Sequence, residues 1–167
     1  MTGRRGRWRR LAAGALLAAA IAAGCSRAGE PDRGDRWAAE VADRHREADR
    51  RLDDGDAAGA RAALLALVAA GAPAAASDAS GARRLALQDT YFRLARLALG
   101  DRDGRQALAY ADAGLALGSA PHLFVANLLV ARGAAHEALG DGRAAATDYH
   151  RAQVMNETLL QEALSPR

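Results

Sequence analysis

Lysine is absent, and all 23 basic residues of the 167-residue chain are arginine. A single basic residue type used throughout points to GC-rich coding bias more than to selection for a site. Ile21 is the one isoleucine, valine is scarce and aromatics make up only 4% of the residues. That leaves too little strand-favouring material for a sheet. Half of the chain is hydrophobic, and most of that half is Ala and Leu. Such a composition predicts an all-α fold whose helices approach closely through small side chains. Cys25 is the only cysteine, so an intramolecular disulfide is excluded. The four histidines, His45, His122, His136 and His150, fall in no His-Glu-x-x-His zinc pattern. His136 and Glu137 are adjacent and diverge by about 100° on a helix, so they do not act as a pair. Neither a glycine-rich phosphate loop after a strand nor a Gly-x-Ser-x-Gly elbow is present. No catalytic residue, metal or cofactor is expected.

The net charge of +3 is misleading. Arg4, Arg5, Arg7, Arg9 and Arg10 crowd the start of the chain, and removing these five charges from +3 leaves about −2. In the remainder, Arg alternates with Asp and Glu, so there is no basic stripe to neutralise phosphates and nucleic-acid binding is not expected. The early arginines precede an apolar stretch over 11–23, which is too short for an ordinary membrane span, and then a small-residue site. This is the pattern of an export signal. Ile21-Ala22-Ala23-Gly24-Cys25 resembles the lipobox of bacterial lipoproteins, with Ala22 where Leu is usual. The resemblance implies a signal peptide over 1–24, lipidation of Cys25 and a membrane anchor. Ser26, in place of the Asp that retains lipoproteins at the inner membrane, implies the periplasmic face of the outer membrane where the cell has two membranes. Residues 25–35, with Gly29, Pro31 and Gly34, read as a flexible tether.

From 36 onward a helix–turn–helix unit recurs three times, over about 36–70, 82–118 and 122–164. Gly-Asp pairs punctuate the units at Gly55-Asp56, Gly100-Asp101 and Gly140-Asp141. A glycine just past a helix can take the left-handed conformation that closes it, and an aspartate can accept the free N–H groups opening the next. In the second unit Asp103 is the candidate cap. Trp37, Val41, Ala48 and Leu52 form one apolar stripe at helical spacing. Ala60, Leu64 and Leu67, then Ala107, Ala111 and Gly114, then Ala145, Tyr149 and Ala152 repeat one packing pattern on the second helices. Tyr91, Leu94, Ala95 and Ala98 do the same on a first helix. Gly133 and Ala145 lack bulk where two helices must approach, and a close contact between them is expected. Residues 71–81, with Pro73 and two glycines, form a candidate hinge. The last helix carries Leu159, Leu160 and Leu164 toward its end, where a solenoid needs either a polar cap or a partner, and a cap is the expected role.

The pattern resembles the tetratricopeptide repeat, a 34-residue antiparallel helix pair. Gly114 departs from the usual Ala, Arg132 from the usual Leu and His136 from the usual aromatic. The resemblance implies three repeats in a short right-handed α-solenoid whose concave face, lined by the first helices, binds peptide. Carried over to this chain, the lining is His45, Asp49 and Leu52, then Asp89, Phe92, Arg96 and Leu99, then Asn127, Val130, Ala134 and Glu137. Phe92 and Val130, flanked by Arg93 and Arg96, would suit a segment bearing an acidic group. The function this implies is a non-enzymatic scaffold for protein–protein interaction in the cell envelope, similar in plan to lipoproteins that assist assembly of secretins or other outer-membrane complexes. The partner would be another envelope protein or peptide. The alternatives are a self-associating, homo-oligomeric structural lipoprotein and an accessory subunit of a cell-wall enzyme.

Overall fold

The computed structural model describes residues 33–70 and 81–165. The expected signal peptide, Cys25, most of the tether and the 71–80 hinge lie outside the described residues. Within them the chain forms six helices: α1 (Arg33–Asp53), α2 (Ala57–Ala70), α3 (Ala82–Gly100), α4 (Gly104–Ala116), α5 (Leu123–Ala138) and α6 (Gly142–Leu164). There is no strand among the described residues. The first helix begins at Arg33, a turn earlier than the expected start at 36.

The three turns share one closure. The backbone N–H of Asp56, Asp103 and Asp141 each donates to the carbonyl five residues back, on Arg51, Ala98 and His136, at 2.7, 2.9 and 2.9 Å. Each carboxylate then accepts the N–H three residues ahead, from Gly59, Gln106 and Ala144, at 2.8, 3.0 and 3.0 Å. One residue thus ends one helix and starts the next. The residue before each aspartate must be left-handed, and Gly55 and Gly140 are, with φ of 80° and 83°. In the second turn that residue is Arg102, with φ of 61°. Gly100-Asp101 is therefore displaced from its supposed counterparts: Gly100 is still helical, and the homologous pair is Arg102-Asp103.

Consecutive helices pack antiparallel in pairs, α1 with α2, α3 with α4 and α5 with α6, and each pair also meets the first helix of the next. Val41 shares a cluster with Leu67, and Ala48 with Ala60 and Leu64. Leu94, Ala95, Ala98, Ala107, Ala111, Ala145 and Ala152 are buried as expected. Leu52 is not; at 39% exposure it leaves the stripe that Trp37, Val41 and Ala48 share with His45.

Two departures from the repeat pattern have physical causes. A Cβ on Gly114 would lie 2.7 Å from Leu128 Cδ2 and 3.0 Å from Tyr91 Cβ, so the usual Ala does not fit. Arg132 sits at the leucine position because Asp148, itself buried, receives its Nε and Nη2 at 2.7 Å each, while Nη1 reaches Asp112 at 3.1 Å. His136 Nε2 lies 3.9 Å from the same Asp148. The nearest neighbour of a side chain at Gly133 would be the Tyr149 ring: a Cβ there would stand 2.7 Å from Cε1 and 2.9 Å from Cδ1.

Gly133→Leu should therefore lower stability by about 1–3 kcal/mol through overpacking against Tyr149. Arg102→Gly should raise it, by up to about 1 kcal/mol, by relieving the left-handed arginine. Urea melts of the two variants should move in opposite directions from the parent.

Candidate functional site

The junction between the first two hairpins concentrates charge. His45, on the inner side of α1, has 9% of its surface exposed. Its Nδ1 lies 3.2 Å from Asp89 Oδ2 and its Nε2 lies 2.8 Å from Thr90 Oγ1. Thr90 Oγ1 in turn donates to the Ala86 carbonyl at 2.9 Å. Carboxylate, imidazole and hydroxyl stand in the order of a nucleophilic relay, yet Thr90 is fully buried, and no substrate atom has a path to it. The arrangement clasps α1 to α3.

Arg93 completes the clasp. Its Nε donates to Asp89 at 3.1 Å and its Nη1 to Asp49 on α1 at 2.6 Å. Burial pushes the Asp89 carboxyl up, but the His45 hydrogen bond and the charge and hydrogen bond of Arg93 together outweigh it and hold the group below its ordinary value. Arg61 of α2 bonds Asp101 just past α3, a second ion pair across the same junction.

Beside the clasp opens a cleft of about 390 Å³. Asp49, Leu52 and Asp53 of α1 line it, with Leu64 of α2 and Arg93, Arg96 and Leu97 of α3. Arg96 is exposed and has no ion-pair partner among the described residues. Its guanidinium carbon lies 5.8 Å from the centre of the Phe92 ring. The ring, half-buried, packs on the cluster of Ala95, Ala111 and Ala131. Phe92 is thus a floor under Arg96 and not a free anchor.

The expected lining residues are not one surface. Asp89 belongs to the clasp, Arg93 to both clasp and cleft, and Arg96 to the cleft. Asn127 is half-buried on α5. Val130 lines a different recess with Tyr149 and Leu160. Glu137 accepts the Tyr149 hydroxyl at 3.0 Å; burial, then Glu137, pushes that phenol up. Asp49 and Leu52, both expected lining residues, do line the cleft, joined by Asp53. Leu52 also stood in the apolar stripe of α1, and its exposure takes it out of that stripe. A third cleft, of about 490 Å³, runs between α4 and α6 over Val125 and Leu129 of α5. Among the described residues no group of His, Cys, Asp or Glu is placed to hold a metal ion, and no helix is long and apolar enough to cross a membrane.

Because the folded-state pKa of Asp89 is depressed, its contribution is present above the ordinary carboxylate range and lost as pH falls through the folded value. Asp89→Asn should therefore lower stability near pH 7 and flatten the loss of stability between about pH 5 and pH 2. Melts at a series of pH values check both. No protein-family model, curated protein or solved structure matches the chain.

Proposed function

We propose that the chain is a lipid-anchored, non-enzymatic scaffold of the tetratricopeptide type that binds an acidic segment of another cell-envelope protein. The observation that carries this reading is the cleft between α1 and α3. It combines apolar surface, the exposed Leu52 and the half-buried Leu97, with Arg96, whose charge no carboxylate among the described residues neutralises. An extended or helical peptide could lay an apolar side chain on Leu52 and a carboxylate on Arg96. Three identical turn closures and alanine-mediated helix packing support the repeat assignment. In the proposed short right-handed solenoid, the cleft belongs to the face lined by first helices.

Anchoring rests on the sequence before 33. Cys25 becomes the first residue of the mature protein, and its several acyl chains, at about 0.8 kcal/mol per buried methylene, hold it at the membrane. Cys25→Ser should leave the protein unprocessed or release it to the soluble fraction, as read by fractionation and intact mass. An unmodified thiol on soluble wild-type protein would remove the anchor from the proposal.

Arg96→Glu tests the groove. A solvent-facing charge reversal changes stability by less than about 0.5 kcal/mol, yet should repel an acidic segment and weaken binding to the partner recovered by co-purification. That partner binding Arg96→Glu as tightly as wild type would place its site elsewhere.

A further inference from the structure

Two contacts set the register of the first junction. His45 meets Asp89, and Asp49 meets Arg93. Both pairs are 44 positions apart in sequence, so α1 and α3 run parallel, each residue of α1 beside the one 44 positions later. These two rungs are polar pairs. One turn further, the same count sets Asp53 level with Leu97 and Arg96 level with Leu52, and all four line the cleft. There each charge faces a leucine across the groove, so the ladder of polar pairs stops and an apolar floor opens between two unlike charges.

Asp53 differs from the other carboxylates of its helix. Glu40 pairs with Arg44, Asp43 with Arg46, Glu47 with Arg50 and Arg51, and Asp49 with Arg93. Asp53 is exposed and has no partner among the described residues. Its position is unfavourable in two ways. It is the last residue of α1, where the unpaired carbonyls of the helix end repel a carboxylate. It also follows Asp49 by four residues, which places like charges on one helix face. An arginine or a neutral residue would serve the fold better. A charge that breaks the local rule, and lines a cleft without a partner, marks a group kept for something outside the chain. On the opposite wall Arg96 is unpaired as well. Because Asp49 and Arg93 neutralise each other, the cleft retains one free charge of each sign.

We propose that the cleft takes an extended segment in which an acidic and a basic residue are adjacent, the carboxylate bound by Arg96 and the cation by Asp53. This rests on the reading of the cleft as the site for an acidic segment and adds a second charge requirement to it. Neighbouring residues of an extended chain point to opposite sides, about 3.3 Å apart along its length. Arg96 and Asp53 stand on opposite walls at levels one residue apart, about 1.5 Å along the helices. Adjacent acid and base therefore reach both walls at once, whereas a spacing of two would send both side chains to the same wall. The methylene stem of the basic residue lies on Leu97 while its head meets Asp53. Asp53 is then the discriminating group, since it repels a segment whose charges are all negative.

The test uses the full chain with Cys25→Ser in nonionic detergent. Its probes are three dye-labelled, amidated hexapeptides on one alanine-leucine frame that differ only in a central pair: Glu-Arg, Glu-Gln or Glu-Glu. Fluorescence anisotropy should rank their affinities in that order, with Glu-Arg at least about fivefold tighter than Glu-Gln. Asp53→Asn should make Glu-Arg and Glu-Gln bind equally and should raise the thermal midpoint, a rise that a merely structural role would not give. Arg96→Gln should weaken all three. Equal binding of Glu-Arg and Glu-Gln to wild type, a preference that survives Asp53→Asn, or a lowered midpoint in that variant would overturn the requirement for a base, and sensitivity to Arg96→Gln would still uphold the acidic-segment reading. Binding indifferent to Arg96→Gln, or no binding of any peptide at about 1 mM, would overturn both.

Discussion

Among the described residues every apolar cluster, taken with the half-buried residues packed on it, reaches beyond one hairpin. Ala48, Ala60, Leu64 and Leu94 meet across α1, α2 and α3, and Ala98, Ala107 and Ala135 across α3, α4 and α5. This follows from composition. With few aromatics, the apolar area one alanine-lined hairpin can remove from water is small, and at roughly 25 cal/mol per Å² it does not offset the entropy of ordering two helices. Stacking adds contact to α3 and α5, each of which touches its own partner and the preceding hairpin. Small residues let the backbones approach so that dispersion contacts make up for missing bulk.

Such packing is weakly directional, since one alanine face fits another in several registers. Charged groups at the junctions supply the direction. Asp89 receives both His45 and Arg93, and Arg93 also reaches Asp49, so α3 cannot slide along α1 without breaking the His45–Asp89, His45–Thr90 and Asp49–Arg93 contacts. At the next junction Arg132 spans Asp112 of α4 and Asp148 of α6. A half-satisfied set would cost more than an apolar one. The two sets therefore act less as sources of stability than as penalties on wrong registers.

Helix content, hairpin count and the small-residue positions were legible in the sequence because they depend on local periodicity and turn chemistry. The junction chemistry was less legible. Asp148 reads as a surface residue on a polar helix face until Arg132, sixteen positions earlier, is seen to need it. Gly100-Asp101 looked like the punctuation of the second turn because the dipeptide matched. The backbone instead tolerates a left-handed arginine at 102, held by the Asp103 closure on Ala98. Phe92 was expected on the concave lining, and its place was hard to read for the same reason: which side of α3 the next hairpin covers is a tertiary fact, and the cluster with Ala131 decides it.

The clasp and the cleft share a wall, and this bears on how a ligand can bind. Asp49 and Arg93 face the cleft while pairing with each other. A ligand carboxylate that took Arg93 would leave Asp49 unpaired and loosen α1 from α3, so its binding energy would be reduced by the cost of opening the junction. Arg96 carries no such obligation. Its contact is the Phe92 ring, and a cation over an aromatic face can still offer its outer N–H groups to an anion. A segment that engages Arg96 and Leu52 therefore leaves the junction intact, which is the condition for binding without loosening the fold that presents the site.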